Sequence, residues 1–168
     1  KAKLMSFTNY HAVNGRILAE SVGTNRKGYL LDALGSVTGL MDATGSLVAQ
    51  LLYEANGVAK QVSGTPVSSR FGWCGSWGYR ASIDIMAIYI RGRSYDPRVA
   101  LWTSRDALWP KESTYLYARS NPVLHVDPSG MITFEKCRDC PNCDPWPPTP
   151  NPVKKAVIKI CDLILRCY

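Results

Sequence analysis

A four-residue phrase, in which an acid is followed by Ala, any residue and Gly, occurs three times between residues 32 and 57. The copies are Asp32-Ala33-Leu34-Gly35, Asp42-Ala43-Thr44-Gly45 and Glu54-Ala55-Asn56-Gly57, and they start ten and twelve residues apart. Acidic residues and Gly suit tight turns, since the side chain caps backbone N–H groups and Gly tolerates positive φ. Short apolar runs separate the copies, so the pattern predicts strands joined by tight turns.

Residues 5–62 are therefore predicted to form a meander of five or six strands. Asn14-Gly15 and Asn56-Gly57 are the strongest hairpin signals, because both central residues of a type I′ turn need positive φ. Each hairpin is too small to bury a core alone, so such units stack on their neighbours. An ordinary β-sandwich with similar turns is the alternative.

The second half of the chain also has a β pattern. Residues 63–82 are rich in Gly and Ser with interleaved aromatics, which indicates a loop that carries packing anchors. The run IDIMAIYIRGRSYDP, residues 83–97, predicts one strand that ends at the Asp96-Pro97 turn. Further turns are expected at Asn121-Pro122 and over 127–130. The predicted fold class is therefore mainly β.

After Met131 the composition changes, which predicts a boundary between 1–131 and a tail, 132–168. The tail begins with a Pro-rich, extended linker. Asn151 and Pro152 then suit the N-cap and first position of an amphipathic helix over about 152–166, which has one basic face. We expect the apolar face of this helix to pack on the preceding domain. The alternative is that the helix lies on a membrane surface with its basic face toward anionic lipid.

Five of the six cysteines lie in the tail. We expect disulfides or free thiols there, and disulfides are natural in an extracellular setting. A metal site is the alternative, because Cys137, Cys140 and Cys143 have thiolate spacing and Cys161 or Cys167 offers a fourth ligand. We expect no cofactor. The net charge of +7 permits an acidic partner, but the basic residues are spread along the chain, so no specific nucleic-acid site is predicted.

Residues 11–131 resemble the Rhs, or YD-repeat, proteins, and specifically their Rhs-associated core region. The resemblance is carried by four segments in the family's order: GYLLDALGSVTGLMDATGSLVAQLLYEANG, FGWCGSWGYR, IYIRGRSYDPRVALWTSRD and YLYARSNPVLHVDPSGM. The last segment matches the pattern D-P-x-G-(L/M), and the third matches Y-x-R-x-R-x-Y-D-P followed by S-x-D. The chain departs from the pattern at Leu101, where the family has Arg, and at Ala107, where it has Pro.

The resemblance implies a fold in which antiparallel hairpins wind into a spiral, shell-like wall, one end of which the core region closes. The segment after D-P-x-G-(L/M) is then a variable, effector-like tail. Several members release this tail by self-cleavage just after the motif, at an aspartyl-protease-like site built from core acids. Such chemistry needs one protonated and one ionised acid, to activate water and to protonate the leaving group.

Carried over residue by residue, the resemblance places the scissile bond between Met131 and Ile132. The implied catalytic acids are Asp106, of the S-x-D motif, and Asp127, of the D-P-x-G motif. Arg105, a charge partner, and Glu112, a second acid, are the further candidates.

The sequence thus predicts an Rhs-associated core that encloses or presents its C-terminal tail and releases it by autoproteolysis. The implied partners are the chain's own tail and a larger Rhs or toxin assembly or like subunits, in a secreted or cell-envelope location. A non-catalytic extracellular or envelope structural protein with a tethered C-terminal helix is the alternative. A small zinc-bound interaction module in the tail is a third hypothesis.

Overall fold

The computed structural model describes residues 7–67, 69–82, 86–110 and 113–135. The chain divides into two units, Lys1–Phe134 and Glu135–Tyr168, and the described residues other than Glu135 belong to the first. The predicted linker, the tail cysteines and the helix over 152–166 lie outside the described residues, and the boundary after Met131 stays a prediction. Within the part described, no helix is long and apolar enough to cross a membrane.

A six-stranded antiparallel meander forms the first half of the chain, and its strands neighbour one another in chain order. The strands are β1 (Thr8–Val13), β2 (Arg16–Val22), β3 (Asn25–Leu31), β4 (Val37–Met41), β5 (Leu47–Tyr53) and β6 (Ala59–Gly64). Tyr29 pairs with Leu40, and Leu40 pairs with Ala49, so these side chains share one face. Together with Val37 they form a buried cluster on that face. The predicted mainly β fold and its meander are confirmed.

The three copies of the repeated phrase form the same turn. In each, the Gly N–H donates to the carbonyl of the acid, at 3.0, 3.1 and 2.8 Å, and each Gly has φ between +85 and +92°. The Asp32 and Asp42 carboxylates also cap two backbone N–H groups each. The predicted chemistry of these turns is therefore confirmed, with Gly at the position that needs the left-handed region.

The two Asn-Gly pairs differ from each other. At the β1–β2 turn, Asn14 and Gly15 have φ values of +49° and +71°, as a type I′ turn requires. At Asn56-Gly57 only Gly57 has positive φ, so the type I′ prediction is wrong there. The reason is that Asn56 is the third residue of the four-residue turn that begins at Glu54.

A second antiparallel sheet follows, with strand order β10-β9-β8-β7. Its strands are β7 (Arg80–Ala81), β8 (Ile88–Ile90), β9 (Arg93–Asp96) and β10 (Leu101–Trp102). Two short 3₁₀ helices, Gly75–Trp77 and Ala118–Ser120, and strands β11 (His125–Val126) and β12 (Phe134–Glu135) complete the described elements.

The prediction of one strand over 83–97 is wrong, because the chain reverses at Arg91-Gly92 to form the β8–β9 hairpin. Arg91 adopts φ +43° at this turn. The Arg91 side chain donates to the Pro128 carbonyl, and the Gly92 N–H donates to the Ser129 carbonyl at 3.1 Å. These contacts with distant residues outweigh the local strand propensity, which alone favours continuing the strand.

An aromatic cluster joins the meander to the second sheet. Trp73 stacks on Tyr95, with ring centroids 5.4 Å apart, and also contacts Tyr79 and Tyr117. All four rings are buried. The Tyr95 hydroxyl donates to the carbonyl of Asn56, within the third repeated turn, at 2.9 Å. The aromatics predicted to be packing anchors in residues 63–82 thus hold the end of the meander against the rest of the unit.

We predict that Gly57→Ala destabilises the protein more than the matched change Gly45→Ala. Both glycines occupy the same turn position with positive φ, which costs any other residue about 1–2 kcal/mol. A Cβ on Gly57 would lie 2.5 Å from the Trp73 ring, whereas one on Gly45 would meet nothing within 4 Å. The clash should therefore make Gly57→Ala about 1–3 kcal/mol more destabilising than Gly45→Ala. The measurement is the free energy of unfolding of both variants in urea. Equal losses would contradict this account of the junction.

Candidate functional site

Two buried aspartates meet at one arginine. Nη2 of Arg93 lies 2.8 Å from Oδ2 of Asp106 and 3.5 Å from Oδ2 of Asp127. The Arg93 side chain is 6% exposed, and each carboxylate side chain is 2% exposed. Charged groups this deeply buried need partners, so the three side chains form a single electrostatic unit. Both sequence-predicted catalytic acids belong to it.

Each member of this unit comes from a different part of the second half of the chain. Arg93 begins β9, and its guanidinium lies 4.0 Å from the centroid of the Trp102 ring. Asp106 follows β10, where its Oδ1 caps the Leu108 N–H at 2.7 Å. Asp127 follows β11, at the start of the predicted D-P-x-G turn. Both acids therefore also perform the turn-forming role that is common for Asp.

The Asp127 carboxylate reaches the predicted scissile bond. Its Oδ1 accepts hydrogen bonds from Ser129 Oγ at 2.8 Å and from the N–H groups of Met131 and Ile132, each at 3.1 Å. The Ile132 nitrogen is the leaving atom if the Met131–Ile132 bond breaks. One predicted acid thus contacts the atom that the predicted chemistry must protonate.

The β8–β9 turn fixes the chain just before that bond. Arg91 Nη1 donates to the Pro128 carbonyl, the Gly92 N–H donates to the Ser129 carbonyl, and Arg93 Nε donates to the Gly130 carbonyl. Gly130 has φ +71°, and a Cβ there would lie 2.3 Å from a backbone carbonyl oxygen. Three successive carbonyls are therefore held by three successive residues, and Gly is required at the tightest point.

Burial raises the pKa of Asp127 to about 6, although the hydrogen bond from Ser129 and the charge of Arg93 act in the opposite direction. Desolvation outweighs them because the side chain is almost completely removed from water. The site thus holds one acid that takes up a proton in mildly acidic solution beside a second acid, Asp106, in a shorter ion pair with Arg93. A carboxyl with a raised pKa beside a second carboxyl is typical of acid–base sites.

Of the other candidate site residues, the structure describes Arg105, which does not belong to the acid–arginine unit. Arg105 is exposed, and its guanidinium stacks 4.0 Å from the centroid of the Trp109 ring. Glu112 and the tail cysteines lie outside the described residues. Among the described residues, no group of three or more His, Cys, Asp or Glu side chains is suited to hold a metal ion.

Sequence reasoning missed Arg93, the cation that contacts both acids. A signal was present, since Arg93 is the second Arg in the R-x-R portion of the pattern that the chain matches. The position of an Arg in a motif does not reveal which distant acids it pairs with, and Arg105 was named as the charge partner instead.

Comparison with curated proteins finds relatives that are much longer than this chain. They include the tRNA(Glu)-specific nuclease WapA of Bacillus subtilis subsp. natto (29% identical over 110 residues), the tRNA nuclease WapA of Bacillus subtilis strain 168 (28% over 110) and the tRNA3(Ser)-specific nuclease WapA of Bacillus spizizenii (26% over 125). The alignments cover 61%, 61% and 70% of this chain. The chain spans 5% of the length of each relative. No protein-family model matches it.

Comparison with solved structures finds the same fold in part of a toxin-complex assembly. The crystal structure of TcdB2-TccC3 matches with a TM-score of 0.63, and that of TcdB2-TccC3-Cdc42 with 0.62, both at 16% identity. TcdB2-TccC3 without its hypervariable C-terminal region matches with 0.60 at 18% identity. Each match covers 75% of this chain and 6–7% of the other. The sequence and fold similarities together support an Rhs-like assignment for this chain.

We predict that the free energy of unfolding falls as pH rises from about 4 to about 6 because of Asp127. Its pKa is about 6 in the folded state against an ordinary value of 3.8, so the folded state binds more protons in this interval. The contribution of Asp127 to the free energy of unfolding is therefore fully present below pH 4. It is lost as pH rises through 6, and the loss is about 1–3 kcal/mol.

The measurement is urea unfolding between pH 4 and 7 of the uncleaved parent chain and of uncleaved Asp127→Asn, which cannot ionise. Subtracting the two profiles removes the contribution of other carboxyls, and the difference should change over this interval. Parallel profiles would show that Asp127 has an ordinary pKa in the folded protein.

Proposed function

We propose that this chain is an Rhs-type, toxin-related core segment that presents its C-terminal tail and releases it by cleaving its own Met131–Ile132 bond. The contact that carries the proposal is the hydrogen bond from the Ile132 N–H to Asp127 Oδ1, at 3.1 Å. It places an acid with a raised pKa at the leaving nitrogen of the predicted bond. The second acid, Asp106, shares Arg93 with it.

In the proposed reaction, the two aspartates have different roles. Asp106, in the shorter ion pair with Arg93, acts as the general base and takes a proton from the attacking water. The water oxygen adds to the Met131 carbonyl carbon. Asp127 then gives its proton to the Ile132 nitrogen as the C–N bond breaks, which leaves a Met131 carboxyl and a free Ile132 amine. Arg93 keeps the buried negative charge neutralised throughout.

The clamp formed by residues 91–93 supports this assignment because it holds the carbonyls of 128–130 in place. A fixed chain keeps the scissile bond at the acids, and such positioning is a large part of catalysis. All three of these contacts lie on the N-terminal side of the bond. Cleavage between Met131 and Ile132 would therefore leave them intact.

The similarity to WapA proteins and to TcdB2-TccC3 favours a setting in a larger toxin-related assembly. We therefore place the full-length protein outside the cytoplasm, secreted or in the cell envelope, with this segment adjoining a variable tail. A scaffold without catalytic activity is the competing function. The two are separated by whether the chain cuts itself and whether the cut needs the buried acids.

We predict that freshly purified protein contains two fragments, one that ends at Met131 and one that begins at Ile132. Asp106→Asn and Asp127→Asn should each slow processing at least about 100-fold, since each removes one proton-transfer role. The measurement is intact mass spectrometry of the full 168-residue chain over time after synthesis, which gives both the site and the rate.

Asp42→Asn is the matched control, because Asp42 caps its turn through two backbone N–H groups, much as Asp127 does, but is only partly buried. It should be processed at the parent rate. A parent chain that stays whole under mildly acidic and neutral conditions would overturn the proposed function and leave the scaffold. Processing that survives both acid substitutions would overturn the assignment of Asp106 and Asp127.

A further inference from the structure

A tyrosine outside the acid–arginine unit holds the backbone of Asp127. The Asp127 N–H donates a hydrogen bond to the Tyr79 phenol oxygen at 2.8 Å, across 48 positions of sequence. The Tyr79 hydroxyl also forms a hydrogen bond of 2.9 Å with the Tyr117 hydroxyl. Tyr79 is fully buried, so the contact is shielded from competing water.

The surrounding cluster gives Tyr79 little freedom to move. Its ring packs edge-on against Trp73, with centroids 5.8 Å apart, and against Tyr117 at 6.4 Å. It follows Gly78, whose φ of +87° ends the short 3₁₀ helix and directs the chain into β7. Because the ring is buried among fixed neighbours, its hydroxyl oxygen has a fixed position as an acceptor. A surface side chain would instead lose conformational entropy when it formed such a contact.

Tyr79 is not suited to exchange protons itself. Burial raises its pKa well above the ordinary value, and the neighbouring Tyr117, Cys74 and Asp127 raise it further. The phenol therefore stays neutral over the pH range in which Asp127 titrates. A neutral hydroxyl fixed on a backbone N–H can orient the residue it binds but does not supply the reaction's acid or base.

We infer that Tyr79 is a positioning residue, which sets the place of the Asp127 carboxylate through the Asp127 backbone N–H. The inference rests on the proposed self-cleavage. Without the phenol oxygen, the Asp127 N–H would be buried with no acceptor, at a cost that favours rotation of the peptide group. Any rotation moves the carboxylate away from the Ile132 N–H, and small displacements of reacting groups cost large factors in rate.

Tyr79→Phe tests this inference, since it removes one oxygen and keeps the ring. Tyr95→Phe is the matched control, because Tyr95 is a buried member of the same cluster whose hydroxyl bonds the Asn56 carbonyl instead. We expect Tyr79→Phe to slow processing about tenfold, the factor that one hydrogen bond is worth. Tyr95→Phe should retain the parent rate. Rates are compared by intact mass at a temperature where circular dichroism shows both variants fully folded.

A second readout follows the hydrogen bond itself and does not depend on cleavage. In full-length chains that carry Asp106→Asn, amide hydrogen exchange at Asp127 is measured by NMR with and without Tyr79→Phe. We expect exchange at this amide to become at least about tenfold faster with Tyr79→Phe and to stay unchanged with Tyr95→Phe.

Equal processing rates in the parent and Tyr79→Phe would overturn the inference, as would equal slowing by Tyr95→Phe, which would mean general loosening of the cluster. If the parent chain does not cut itself, the proposed function fails, and the positioning role fails with it. The exchange experiment then still reports whether Tyr79 fixes the Asp127 backbone, so the two failures remain distinguishable.

Discussion

The pairing of Arg93 with two buried carboxylates is the interaction on which the second half of the structure depends. Removing a charge from water is costly unless partners replace the lost hydration. Here one guanidinium faces two acids, so full ionisation would leave an excess negative charge in the interior. Burial raises the pKa of Asp127 to about 6, so protonation of this carboxyl in mildly acidic solution removes one of the two negative charges. Protonation of Asp127 thus serves both the stability of the buried unit and the proposed role of Asp127 as an acid.

The β8–β9 hairpin links this electrostatic unit to backbone geometry. Arg93 both pairs with the acids and donates to the Gly130 carbonyl, and its neighbours Arg91 and Gly92 hold the two preceding carbonyls. A change that moved the turn over 128–130 would therefore also disturb the buried charges. Conversely, the charges hold the hairpin in a conformation that needs positive φ at Arg91. The hairpin and the buried charges thus share Arg93, and several distant parts of the chain contact one short turn.

Local features of the fold were predictable from the sequence, and distant contacts were not. The repeated turns follow from an acid and a Gly three positions apart, so the meander could be derived directly. The β8–β9 hairpin was missed because its turn is stabilised by carbonyls 37 residues away in the chain. Asp106 and Asp127 were found through family resemblance, and no spacing rule connects residues 21 positions apart. Arg93 was present in the matched motif, but its pairing with those acids depends on tertiary structure.

The aromatic cluster shows why the meander and the site cannot be treated as separate parts. The third repeated turn, at Gly57, packs directly against Trp73. Trp73 contacts Tyr79, and Tyr79 holds the backbone of Asp127. A turn that the sequence predicts only as a connection between two strands is thus linked to a buried acid through Trp73 and Tyr79. The glycine that lets the turn approach Trp73 therefore permits the packing of the aromatic cluster from which Tyr79 reaches the Asp127 backbone.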